Sequence, residues 1–170
     1  MERILEISYN HKLSHLGSCL TMMPILEDIY NNKKEEDIVI LSAGHAGLAQ
    51  YVQIEKRYNI DAEMLLEKMG IHPVRDPENK IYVSSGSLGS AILVCVGLAI
   101  ANKNRNVYCI LSDGECAEGS VWEALAFCEK TKLSNLIIHV NILLLKFRYN
   151  FYFYYIVEFL IMYNIFIIFI

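Results

Sequence analysis

Residues 1–141 predict an α/β fold: a parallel sheet flanked by helices. Three observations lead there. Short apolar runs rich in β-branched residues alternate with longer segments of helical period. The last strand, helix and strand of this stretch follow one another within about 35 residues, the span of a βαβ unit. The strands are apolar on both sides, as in a parallel sheet covered on both faces.

Taken in order, "MERILEIS" and "PILEDIY" carry apolar residues at helical spacing, and "DIVILS" is a short apolar run bounded by a charge and a serine, the pattern of a buried strand. "AGLAQYVQIEKRYN" and "DAEMLLEKMG" return to helix, the second opening on Asp61 as N-cap and closing on Gly70. "GSLGSAILVCVGLAIANKN" is apolar on nearly all sides, which predicts a helix buried within the domain. "NVYCILS" reads as a strand, "GSVWEALAFCEKTK" as an amphipathic helix and "NLIIHV" as a strand again. No internal repeat is present.

The composition then breaks. Residues 142–170 contain no Gly, Ala, Ser, Thr, Asp or Pro, yet hold 11 of the chain's 19 aromatic residues. Two units are therefore expected: a domain over 1–141 and a hydrophobic tail over 142–170. All the residue types of the tail can be written with A/T-rich codons, and its apolar residues keep no steady period of strand or helix, which suggests translated intron or a frameshift. A membrane segment competes: residues 149–170 carry the single charge Glu158 and follow Lys146 and Arg148. A strand-prone, aggregating tail is the third reading.

Charge and cysteine usage narrow the function. Residues 1–141 hold 13 Lys+Arg against 18 Asp+Glu, an acidic balance that argues against nucleic acid as a partner. Cys19, Cys95, Cys109, Cys116 and Cys128 are odd in number and show no CxxC spacing, so neither a disulfide framework nor a zinc site is expected. Reduced thiols, and an opening "MERILEISYN" without an apolar signal region, point to the cytoplasm.

The chemistry concentrates where "NVYCILS" ends. Ligands of open α/β sheets bind at the carboxyl ends of the strands, and Asp113-Gly114 stands at one. A carboxylate there can face a hard cation such as Mg²⁺, while glycine permits a tight turn with backbone amides left free for phosphate. Alone, Asp-Gly is weak evidence and reads first as an ordinary turn.

The surrounding segment, "YCILSDGECAEGSVWEALAFCEKTKLSNLIIHVN", resembles the thiamine diphosphate motif that opens on Gly-Asp-Gly and ends in an Asn of the Mg²⁺ site. "EGSVWEAL" is similar to transketolases in particular, rather than to deoxyxylulose-phosphate synthases or pyruvate dehydrogenases. "HKLSHLGS", "VILSAGHAGLAQY", and "GIHP" followed by "SSGSLGS" resemble further transketolase blocks and occur in the same order. The resemblance covers about residues 10–141 and implies the thiamine diphosphate-binding fold, incomplete at its end.

It further implies that Asp113 ligates Mg²⁺ and that Gly114 brings its backbone to the diphosphate. His15, His45 and His72 match the histidines around the reactive carbon and the substrate hydroxyls. Such groups suit proton transfer near neutral pH. Gly86 and Leu88 match residues that meet the aminopyrimidine and wedge beneath the bent cofactor, although Leu88 equally reads as helix core. Glu118 matches an acid buried at the family's dimer interface. His11 and His139 match no family histidine and are expected to be structural, as is Trp122.

For a complete protein the resemblance implies transfer of a two-carbon ketol unit between sugar phosphates. That requires a pyrimidine-binding transketolase domain or subunit, in a homodimer or heterotetramer. Two departures stand against activity of this chain alone. Ser112 replaces the first glycine of Gly-Asp-Gly, a small change. The position of the second side-chain Mg²⁺ ligand is Leu143, which offers no oxygen. Asn141 lies two residues away, a displacement of about 6–7 Å along a strand. The competing reading is a non-catalytic or membrane-tethered remnant.

Overall fold

The computed structural model describes residues 1–142 and the backbone of 166–169. Helices α1 (Glu2–Asn10) and α2 (Leu16–Asn32) lead into strand β1 (Ile38–Leu41), and α3 (Gly47–Tyr58), α4 (Ala62–Met69) and α5 (Ala91–Ala101) precede β2 (Val107–Ser112). Helix α6 (Gly119–Thr131) connects β2 to β3 (Leu136–Ile142), and β4 (Phe166–Phe169) follows. The strands lie side by side in the order β1-β2-β3-β4, and every pairing is parallel. The expected βαβ unit is therefore β2-α6-β3. Leu143 and most of the tail, with the readings attached to them, lie outside the described residues.

Side-chain alternation along the strands divides the core into two. Val39, Leu41 and Ile110 face one layer with Ile4, Met22, Ile25, Tyr51 and Leu65 of α1 to α4. Ile38, Ile40, Val107, Cys109, Leu111, Ile138 and Val140 face the other, against Ile92, Cys95 and Val96 of α5 and Val121 and Leu125 of α6. Because both faces are covered, successive strand residues are all apolar despite their period of two.

Local signals explain the helix limits. Asp61 accepts a hydrogen bond from the Met64 amide at 2.7 Å as N-cap of α4, and Gly70 closes that helix at φ 79°. Helix α2 starts well before "PILEDIY" and carries Pro24 inside it. Proline removes a backbone donor there. Packing of Met22, Met23, Ile25 and Leu26, all buried, holds the helix through that gap.

One expectation is corrected. Helix α5 is not buried on all sides: Leu93, Val94 and Ile100 are each 47–48% exposed. Ala91, Ile92, Cys95, Val96 and Ala99 form the stripe that meets the sheet, so the opposite side of an evenly apolar helix faces outward. Among the described residues, no helix is long and apolar enough to cross a membrane.

Candidate functional site

The carboxyl ends of β1 and β2 hold the residues singled out in the sequence. Beyond β1 the chain makes a tight turn at Gly44–Ala46 that carries His45 into α3. Two glycines let other loops close on this turn. A Cβ on Gly44 would lie 2.7 Å from the Gly86 amide nitrogen, and one on Gly47 would lie 2.2 Å from the Ile71 carbonyl oxygen. Any side chain at either position would force apart the loops bearing His72 and Gly86. Gly86 itself sits at φ 133°, where a Cβ would come within 3.1 Å of the His72 ring.

His15 enters from the third side. It is the N-cap of α2 and takes a left-handed backbone, φ 63° and ψ 22°. Ser14 Oγ lies 2.8 Å from His15 Nδ1, and the His15 and His45 rings are 5.5 Å apart between centroids. His15 and His72 are exposed, whereas His45 is half-buried. Burial holds the His45 pKa below its ordinary value, and the charges of His15 and His72 push the same way against Glu115 and Asp113. His45 is thus a neutral imidazole at neutral pH, able to accept a proton.

At the end of β2, Asp113 caps a short turn over Gly114–Ala117, its Oδ1 accepting from the Gly114 amide at 2.8 Å. The Gly114 amide is therefore engaged by Asp113, contrary to the expectation that it stays free. Space beside Gly114 is open, with no atom within 4 Å of where a Cβ would stand. The Asp113 amide donates to the Asn141 carbonyl at 3.1 Å, so the Asp113 turn adjoins the end of β3.

A hard cation finds one carboxylate here. Among the described residues, no group of three or more His, Cys, Asp or Glu could hold a metal ion. Asn141 Nδ2 donates to Thr21 Oγ1 of α2 at 3.0 Å, while its buried Oδ1 finds no hydrogen-bond partner among the described residues. The open space beside Gly114 leaves room for a phosphate-bearing group, but with the Gly114 amide engaged and the Asp113 carboxylate alongside, such a group needs a cation between them. The residues present do not by themselves complete a Mg²⁺ site.

The remaining candidates separate. Leu88 precedes α5 and is 48% exposed, so it is not helix core. Glu118, half-buried, is the N-cap residue of α6. Trp122 Nε1 donates to the Cys116 carbonyl at 2.8 Å, a packing role as expected. His11 pairs with Glu63 at 2.9 Å, and His139 is buried in β3 and stacks on Tyr108. All five cysteines are free thiols. Glu115 was not anticipated: it is fully buried among the site loops, and an acid directly after Asp-Gly carries no sequence signal that separates it from a solvated turn residue.

A family profile described as "Transketolase, thiamine diphosphate binding domain" matches residues 3–141. The chain is 35% identical over 144 residues to an apulose-4-phosphate transketolase subunit of Actinobacillus succinogenes, across 73% of this chain and 52% of that protein. It is 40% identical over 118 residues to the transketolase of Homo sapiens, across 62% of this chain and 19% of that protein. A 1-deoxy-D-xylulose-5-phosphate synthase of Fusobacterium nucleatum is 32% identical over 132 residues, across 75% of this chain and 21% of that protein. The solved transketolase from Leishmania mexicana shares the fold with a TM-score of 0.74 at 21% identity, covering 91% of this chain and 29% of that one. The chain thus spans 52% of the Actinobacillus succinogenes relative and 19% of the human one.

Proposed function

This chain belongs to the transketolase family through its thiamine diphosphate-binding domain, and on that premise we propose that it serves as the diphosphate-side part, or split subunit, of a transketolase-type enzyme. The reaction is transfer of a two-carbon ketol unit between sugar phosphates. The observation that carries this reading is the convergence of the His15, His45, His72, Gly86 and Asp113 loops at the strand ends.

Thiamine diphosphate, when bound, supplies the carbon nucleophile and electron sink that ketol transfer needs. The chain's own residues do the rest. His45, neutral at neutral pH, takes a proton from a sugar hydroxyl, and the exposed rings of His15 and His72 orient the polyol beside it. Gly86 and Leu88 would border the ring system of the cofactor, and the open space at Gly114 would admit its diphosphate. Asp113 is the proposed Mg²⁺ carboxylate; with Leu143 at the second position, no step is assigned to the metal.

A partner completes the site. Leu88, Leu93, Val94 and Ile100, with Phe127 of α6 at 43% exposure, leave apolar surface on the layer of α5 and α6 for a pyrimidine-binding domain or subunit. The apulose-4-phosphate transketolase relative of Actinobacillus succinogenes is named as a subunit, which supports a two-chain arrangement. We assign residues 1–141 to the catalytic domain and 142–170 to a tail beyond the family match, of which Ile142 ends β3 and Phe166–Phe169 join the sheet edge as β4. The free thiols suit a reducing, cytoplasmic setting.

Calorimetric titration tests this. The chain alone is expected to show neither Mg²⁺-dependent thiamine diphosphate binding nor ketol transfer. With residues 142–170 replaced by a loop bearing Asn at 143 it is expected to bind the cofactor, and to turn over only after a pyrimidine domain is added. A Mg²⁺-dependent isotherm from the unaltered chain would show that Leu143 costs nothing, and a repaired chain that fails to bind would refute the cofactor assignment.

A further inference from the structure

We propose that Glu115 is the positioning residue of this site, a buried carboxylate that fastens the loops bearing His45, Gly86 and Asp113 into one arrangement. Its side chain is 0% exposed. Oε1 accepts from Ser42 Oγ and, at 3.1 Å, from the Gly89 amide. Oε2 accepts from the Ser112 amide at 2.9 Å and from Ser112 Oγ at 3.2 Å. Ser42 stands immediately after β1 and just before the Gly44–Ala46 turn, Gly89 closes the loop that begins at Gly86, and Ser112 is the last residue of β2 before Asp113. One side chain therefore reaches across 73 and 26 residues of sequence as well as three.

The chemistry requires a carboxylate. A buried charge without compensation is costly, and among the described residues no cation pairs with Glu115, so its four donors carry the compensation. Each oxygen accepts one backbone N–H, a donor that cannot rotate away. A glutamine at 115 has an NH₂ group that must face either the Gly89 or the Ser112 amide, whichever way it is turned. Glutamate is therefore the isostere that satisfies both, and the hydrogen bonds are of the charge-assisted kind. Ser120 Oγ donates to the Gly89 carbonyl at 2.9 Å and ties the same loop to the start of α6, so Gly89 is held from both of its polar groups.

The consequence for the site depends on the reading given under the proposed function, but the test needs no cofactor. Amide hydrogen exchange is measured by NMR on the full chain, with Glu115→Gln and Ser42→Ala. In Glu115→Gln the Gly89 and Ser112 amides are expected to exchange roughly ten- to a hundredfold faster, the loss of a hydrogen bond to a charged group. Cys109 and Ile110 inside β2 should be unaffected. Ser42→Ala keeps the carboxylate, so it should loosen the Gly44–Ala46 turn while Gly89 stays protected.

A second readout separates positioning from bulk stability. His45 is faced by His15, His72, Asp113 and Glu115, and removing the Glu115 charge should move its NMR titration to lower pH. Equal acceleration at Gly89, Ser112, Cys109 and Ile110 would make Glu115 a plain stability residue and overturn the proposal. So would an unmoved His45 titration. If Glu115→Gln does not fold, the unaltered chain decides: a Gly89 amide exchanging at the open-chain rate overturns it, and a protected one that stays protected in Ser42→Ala supports it.

Discussion

The two helical layers are built from similar residues and end differently. The layer of α1 to α4 buries Ile4, Ile7, Met22, Ile25, Tyr51 and Leu65 and shows charges outside. There Arg3 reaches Glu6, Glu55 and Glu63 at 3.0–3.3 Å. The layer of α5 and α6 buries Ile92, Cys95 and Val121 but leaves Leu93, Val94, Ile100 and Phe127 half exposed. The first outer surface sets Leu5, Tyr9 and Met64 among charges and is largely finished for water; α5, which has no charged residue, carries the apolar character of an interior to the outside. Apolar content therefore says how much surface a helix can bury, not how many sides are covered within one chain.

Ile25→Ala probes the finished layer and has the largest expected effect, about 2–5 kcal/mol by urea unfolding, because Ile25 is fully buried. A cost near that of a surface change would erase the distinction between the layers. Acid comes next and also acts on this side. Burial holds His45 and His139 below the ordinary histidine value of about 6.5, and α5 and α6 contain no histidine. Between that value and the lower folded ones, the unfolded chain binds protons the folded chain resists. Stability is thus full above about pH 6.5 and falls as the pH drops below it. Thermal unfolding measured from pH 7.5 to 5 should show the loss, and His139→Phe should reduce it.

The smallest change in stability is expected at the unfinished layer. Leu93→Ser should shift unfolding by no more than about 1 kcal/mol, since half of that side chain already stands in water. Its effect should appear instead in sedimentation, as weaker self-association or weaker binding of a pyrimidine-binding subunit. A Leu93→Ser variant as destabilised as Ile25→Ala would mean that the α5 outer side is covered within the chain.

Much of the fold was legible because its signals are local. Strand runs bounded by polar residues located β1, β2 and β3, and Asp61 and Gly70 marked both ends of α4. The full length of helix α2 is not legible, because Pro24 interrupts the local helix signal and only tertiary packing carries the helix through it. The exposed side of α5 was not legible, since an evenly apolar helix has no period to show which side meets the sheet. In the site, the histidines emerged from the order of the blocks rather than from any one spacing. Gly44 and Gly47 matter through contacts with residues 71 to 86, a distance no local pattern encodes. Glu115 carries no local signal for the same reason: its partners Ser42 and Gly89 are far along the chain.

The left-handed backbone at His15 bears on how this residue would fare under sequence drift. For a residue with a Cβ that conformation costs about 1–2 kcal/mol. A glycine there would escape the strain, while losing about 0.5–1 kcal/mol to its greater freedom when unfolded. The balance favours glycine by up to about 1.5 kcal/mol, so the fold gains nothing by keeping an imidazole at this position. Unlike Ile25 or Tyr51, His15 has no thermodynamic guardian, and a lineage released from its chemistry would be free to lose it without the protein coming apart.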